Sequence, residues 1–99
     1  MKTFNERVWE MCKKIPKGNV TTYKVLAEAL ETKAYRAVGN ALNKNPDAPT
    51  TPCHRVVNSQ GHLHGFAHGL EAKRKILEKE GLEIKNNKIV DFENKLFKF

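Results

Sequence analysis

The chain has 99 residues, enough for one domain with one modest core. Eighteen Lys plus Arg against 11 Asp plus Glu leave a net charge of +7, which points towards a polyanionic partner, either nucleic acid or an anionic membrane surface. No run of about 18 apolar residues offers a bilayer span, the N-terminal stretch lacks the apolar segment of a signal peptide, and two cysteines without a secretory context suggest free thiols in a reducing compartment, so the expected location is the cytoplasm, or the nucleus of a eukaryote.

Phe4, Val8, Cys12 and Ile15 recur at helical spacing, with Trp9 and Met11 beside the stripe, and predict a first helix over Phe4 to Lys14. Cys12 lies on its apolar face and reads as a small core residue. Pro16-Lys17-Gly18-Asn19 ends the helix in a turn. Thr21-Thr22-Tyr23 opens a second helix, with threonine as N-cap, continued by Leu26, Ala27, Ala29 and Leu30. After a break at Glu31-Thr32-Lys33, a third helix runs from Ala34 to Asn43, with Ala37, Val38, Ala41 and Leu42 facing inwards. Two short helices with a tight join match a helix-turn-helix pattern, which is weak by itself. Arg36 stands among small residues that allow close approach to another surface, where an arginine reaches phosphates or a base stack.

An irregular linker, Asn45 to Pro49, leads into Pro52-Cys53-His54-Arg55-Val56-Val57. Proline stiffens the entry to the cysteine, and the two valines favour a short buried strand behind it. A thiol on a rigid corner beside an imidazole is the arrangement of an activated nucleophile, because the thiolate reacts and the thiol does not. Asn58 to Gly61 is a turn, and His62 to Gly69 a glycine-punctuated loop. Leu70 to Glu80 predicts a fourth helix with Leu70, Ile76 and Leu77 inwards, a basic face of Lys73, Arg74, Lys75 and Lys79, and Gly81 as its C′ residue. Leu82 to Val90 suggests a hairpin turning at Asn86-Asn87, and Phe92, Leu96, Phe97 and Phe99 a tail docked by aromatics. With no internal repeat or low-complexity run, residues 1–99 read as a single domain.

The Pro52 to Val57 motif resembles the active-site motif of the O6-alkylguanine-DNA alkyltransferases. Further matching blocks follow in that family's order: Val8-Trp9, Ile15-Pro16-Lys17-Gly18, Thr22-Tyr23, Arg36-Ala37-Val38-Gly39, Asn45-Pro46, and Leu70 through Glu80-Gly81. The resemblance covers Phe4 to Leu82 and implies a mainly α fold with minor β, a winged helix-turn-helix-like domain that is the family's C-terminal DNA-binding and active-site domain. It implies direct-reversal repair of O6-alkylguanine. Cys53 would be the nucleophile and alkyl acceptor, His54 the base acting through a bound water, Glu80 the carboxylate orienting the imidazole, and Tyr23 the donor to the leaving base. Arg36 would fill the space of the flipped nucleotide, with Thr22, Ala34, Tyr35 and Ala37 on the DNA-binding face. Val56, Phe66, Ala67 and His68 would line the pocket. Asn45 and Pro52 would brace the active-site turn. The implied partner is double-stranded DNA carrying the lesion, met in the minor groove by a monomer, with no cofactor and no metal.

Three positions depart from the family pattern. Phe66 stands where tyrosine is frequent, His68 where glycine is frequent, and Tyr35 where a small residue is common. The family's N-terminal domain is not matched, and the Gly81-Leu82-Glu83-Ile84 to Phe92 tail resembles the short alkyltransferase-like proteins, which bind alkylated DNA without repairing it and lack the cysteine. A non-catalytic lesion sensor is therefore the alternative reading, though Cys53 favours repair. A metal site from His62, His64, His68 and Cys53 is a third, on the strength of the His-x-His spacing.

Overall fold

The computed structural model describes residues 2–46, 50–63 and 69–99. Helix α1 runs from Phe4 to Cys12. Thr3 starts it: its hydroxyl accepts from the Glu6 N–H, while the Glu6 carboxylate accepts from the Thr3 N–H. Val8 and Cys12, one turn apart, are fully buried, which confirms Cys12 as a core residue. Strand β1 is Thr21–Thr22, and α2 follows directly at Tyr23–Ala29. The sequence reading gave Thr21 and Thr22 to the start of the helix alone. Thr22 is in fact both the last strand residue and the N-cap, its hydroxyl accepting from the Val25 N–H at 3.0 Å.

Helix α3 spans Tyr35–Asn43, with Ala34 as its uncapped N-terminal neighbour. The α2–α3 join turns at Glu31, whose φ of 59° lies in the left-handed region, and the Thr32 hydroxyl accepts from the Ala34 N–H. Val38, Ala41 and Leu42 are buried as expected, while Ala37 is half-buried. The Trp9 indole donates to the Ala41 carbonyl at 2.7 Å and pins α3 across α1. A 3-10 turn at Cys53–Arg55 runs into strand β2, Val56–Val57, which pairs in parallel with β1, Thr21 opposite Val56 and Thr22 opposite Val57.

Because successive strand residues point to opposite faces, β2 joins two cores. Val56 enters one with Val8, Cys12, Leu26, Val38, Ala41 and Cys53. Val57 enters the other with Val20, Leu63, Leu77, Leu82 and Ile89. Helix α4, Leu70–Lys79, closes the second core and ends at Gly81, whose φ of 97° suits glycine at C′. Two expectations for α4 are corrected. Leu70 is exposed, since the helix packs through Leu77 and Lys73. Lys73 is not on the solvated basic face: it is fully buried, because its ammonium donates to the Val56 carbonyl at 2.7 Å.

Strands β3 (Ile84–Lys85) and β4 (Lys88–Ile89) form the expected hairpin, with Asn86 and Asn87 both at positive φ, as a tight primed turn requires. A short helix α5, Phe92–Lys95, leads to the tail. Phe97 packs on the first core, and Leu96 bridges in parallel to Val20.

Candidate active site

The site is built on the turn before β2. Pro52, at φ −83° and ψ 64°, sits at the centre of an inverse γ-turn closed by the Cys53 N–H donating to the Thr51 carbonyl at 2.8 Å. The Asn45 side-chain amide donates to the same carbonyl at 2.7 Å. The proline ring supplies the needed φ, and two donors fix the carbonyl that starts the turn. Cys53 is thereby delivered at 7% exposure, on the core wall that also packs Tyr23.

His54 follows with 1% exposure. Its Nε2 lies 3.0 Å from Glu80 Oε2, at the C-terminal end of α4. Arg55 grips the same carboxylate with two donors: Nε to Oε1 at 2.9 Å and one terminal nitrogen to Oε2 at 2.6 Å. Its other terminal nitrogen donates to the Ile15 carbonyl at 2.8 Å, just past α1. Burial pushes the Glu80 carboxyl up, but the bonds from Arg55 and His54 outweigh it and hold it below the usual carboxylate range. Glu80 is therefore ionised at neutral pH and accepts from Nε2–H. Nδ1 is left as the basic nitrogen; it is buried without a hydrogen-bond partner among the described residues. Burial also pulls the His54 imidazole below its ordinary value, against the opposing Glu80 bond and with help from the Arg55 and Lys73 charges. The resting imidazole is neutral and able to take a proton.

Two further groups surround the sulfur. Burial pushes the Tyr23 hydroxyl up to about 12, with the Cys53 sulfur adding to the effect. It keeps its proton and can only act as a donor to a negative group. Burial pushes the Lys73 ammonium down to about 8, while the nearby Cys53 sulfur pulls it back up. The sequence reading missed Lys73 and Arg55 as site residues. One signal was available for Lys73: it stands four residues before Leu77, on the apolar stripe rather than opposite it. Arg55 carries no such signal, since its partners lie in two remote elements.

The structure brings Cys53, His54, Glu80 and Tyr23 together, with Asn45, Pro52 and Val56 in supporting positions. Phe66, Ala67 and His68, and His64 of the metal reading, lie outside the described residues. Among the described residues no group of three His, Cys, Asp or Glu side chains could hold a metal ion. Arg36, Tyr35 and Ala34 are not part of this cluster. They stand exposed at the N-terminal end of α3, and Arg36, Asn40 and Asn43 continue as one exposed, acid-free stripe. Thr22 is 4% exposed and its hydroxyl serves the α2 cap, so it presents little surface to a partner.

A buried thiol next to an imidazole–carboxylate pair, in a domain that also carries two short helices with a tight join, is the combination to compare with known proteins. The family model for the DNA-binding domain of 6-O-methylguanine DNA methyltransferase matches residues 3–82, and the chain belongs to that family. Methylated-DNA–protein-cysteine methyltransferases are similar to it: that of Metallosphaera sedula is 51% identical over 83 residues, covering 84% of this chain and 52% of that protein. That of Sulfolobus acidocaldarius is 48% identical over 81 residues, covering 82% and 51%. The chain thus spans about half the length of these curated relatives. Among solved structures, Mycobacterium tuberculosis OGT in complex with DNA superposes with a TM-score of 0.77 at 40% identity, covering 81% of this chain and 50% of that one. S. pombe Atl1, in complex with damaged DNA containing O6-carboxymethylguanine, superposes with a TM-score of 0.85 at 27% identity and covers both chains completely. The fold is thus the mainly α, winged helix-turn-helix-like alkyltransferase domain expected from the sequence. No described helix is long and apolar enough to cross a membrane.

Proposed function

We propose that this chain repairs O6-alkylguanine in double-stranded DNA by transferring the alkyl group to Cys53. The observation that carries this reading is the His54–Glu80 contact at 3.0 Å directly behind Cys53 on its proline-fixed turn. His54 Nδ1 takes the thiol proton through a bound water, and the imidazolium so formed is stabilised by Glu80. The sulfur attacks the alkyl carbon. A C–S bond forms, the C–O6 bond breaks, and the electron pair goes to the guanine ring. Tyr23, whose hydroxyl stays protonated, donates to that developing anion. The product is a thioether with no group to release it, so each chain acts once.

The target atom is hidden inside a duplex, so the nucleotide is rotated out of the stack. Arg36, exposed near the start of α3, is the residue for the vacated space, and the small neighbours Ala34 and Ala37 allow close approach to the minor groove, with the exposed Tyr35 ring beside them. Thr22 acts indirectly, by capping the start of α2. Val56, next to the cysteine turn, serves the substrate pocket, and the chain acts as a monomer without cofactor.

Complete mutual coverage with Atl1 favours a second reading, a lesion-binding sensor that does no chemistry. Intact-protein mass spectrometry after incubation with duplex DNA carrying O6-methylguanine separates the two. A gain of one methyl group, absent in Cys53→Ala, supports repair. Tight lesion binding without any gain supports the sensor.

A further inference from the structure

Residues 95–97 lie beyond the family match, which ends at residue 82. After α5 the chain becomes extended at Leu96, with φ −71° and ψ 122°. It then runs in parallel beside the segment that enters β1. The Val20 N–H donates to the Lys95 carbonyl at 2.9 Å, and the Phe97 N–H donates to the Val20 carbonyl at 2.7 Å. Two side chains complete the seam. The Asn19 amide donates to the Lys95 carbonyl at 3.1 Å, and the Thr21 hydroxyl donates to the Phe97 carbonyl at 2.9 Å. Val20 and Thr21 are fully buried.

Leu96 and Val20 thus form one parallel bridge at the residue before β1. Beyond that bridge β1 is paired with β2, which follows Cys53-His54-Arg55 directly. At the end of β1, Thr22 caps α2 and Tyr23 is the first helical residue. Phe97 and Tyr23 also pack against the same core, the one holding Cys53 and Val56. With only β2 as neighbour, a two-residue strand has few bonds to fix its height relative to the cysteine turn. The tail supplies four more.

We propose that residues 95–97 are a positioning segment for Tyr23, setting the distance between its hydroxyl and a base held at Cys53. The inference rests on the reading of Tyr23 as donor to the leaving guanine. A segment that fixes a donor acts only through that donor, so its removal matters only while the hydroxyl is present.

The test is a double-variant cycle on single-turnover methyl transfer from O6-methylguanine duplex DNA, using Phe97→Pro, which removes the N–H given to Val20, and Tyr23→Phe. Phe97→Pro is expected to slow transfer about tenfold in the Tyr23 chain and less than about twofold in the Tyr23→Phe chain. Iodoacetamide alkylation of Cys53 is expected to stay unchanged. Equal slowing in both backgrounds, or none in the Tyr23 chain, overturns the inference while leaving the donor reading intact. If Tyr23→Phe alone has no effect, the donor reading fails and takes this inference with it. Should Phe97→Pro not fold, Thr21→Val removes only the bond to the Phe97 carbonyl, and the same cycle is read with it; additivity there is equally fatal.

Discussion

Arg55 and Glu80, 25 residues apart in the chain, face each other with two hydrogen bonds, at 2.9 and 2.6 Å, and the second of these shares its carboxylate oxygen with His54. One carboxylate thus serves both the His54 imidazole and a cation tied to the Ile15 carbonyl. The pair joins the turn after α1, the cysteine turn and the end of α4, so the placing of His54 depends on three segments at once.

Glu80→Gln removes the charge that both neighbours use. It leaves the Arg55 cation, 14% exposed, without its ion partner. The expected cost is about 2 kcal/mol, between the limits for exposed and fully buried pairs, with a large fall in methyl-transfer rate. Glu80's folded pKa is depressed, so its contribution is present above the ordinary glutamate value of about 4.3 and is lost as pH falls through the folded value. Urea denaturation at pH 7 and pH 3 checks this: the gap between wild type and variant should close at the lower pH. A gap of the same size at both would remove the ion-pair account.

His54 gives the chain a second acid sensitivity. Its folded pKa lies below the ordinary value of about 6.5, chiefly through burial. Between the two values the unfolded chain binds more protons, so stability rises with pH there and falls on acidification below about 6.5. The melting temperature followed from pH 7.5 to 5 should drop in the wild type and drop less in His54→Gln. Parallel curves would show that another group is responsible.

Lys73→Met keeps the length of the buried stem and removes the donor to Val56. At pH 7 the unpaired carbonyl is expected to cost about 1 kcal/mol. Lys73's folded pKa is about 8 against about 10.4 unfolded, so the wild type should gain stability as pH rises through that window, because the unfolded chain binds the extra proton. The variant should lack this rise. Chemical denaturation at pH 7.5 and 10 reads it directly, and a rise of equal size in both chains would contradict the assignment.

Gly61→Ala is a test of packing. Gly61 has φ 85°, and a Cβ there would meet the Phe92 ring at 2.7 and 2.9 Å. The expected cost is about 2 kcal/mol, from strain and overlap together. Adding Phe92→Ala should relieve the overlap but not the strain, so Gly61→Ala should cost less in that background than in the wild type. Full additivity of the two substitutions in thermal denaturation would place Phe92 elsewhere.

What the sequence determined by itself is what neighbours in the chain decide. The Val8–Cys12 stripe, the Thr22 cap, Gly81 at the end of α4 and the Asn86-Asn87 hairpin all depend on residues one to four positions apart, where periodicity and turn chemistry act. The stiff turn at Pro52-Cys53-His54 was legible for the same reason: a proline fixes its own φ whatever surrounds it. The tertiary structure alone decided the rest. Lys73 reads as a surface lysine until a carbonyl 17 residues away takes its charge inside. Arg55 is one residue of the cysteine motif in the sequence, and only the fold brings Glu80 to it from the end of α4. The tail reads as docked aromatics until its backbone bonds to Val20, far earlier in the chain, make a parallel bridge of it. Each of these turns on which polar groups a buried charge or backbone finds when water is excluded, and that inventory exists only once remote segments have met.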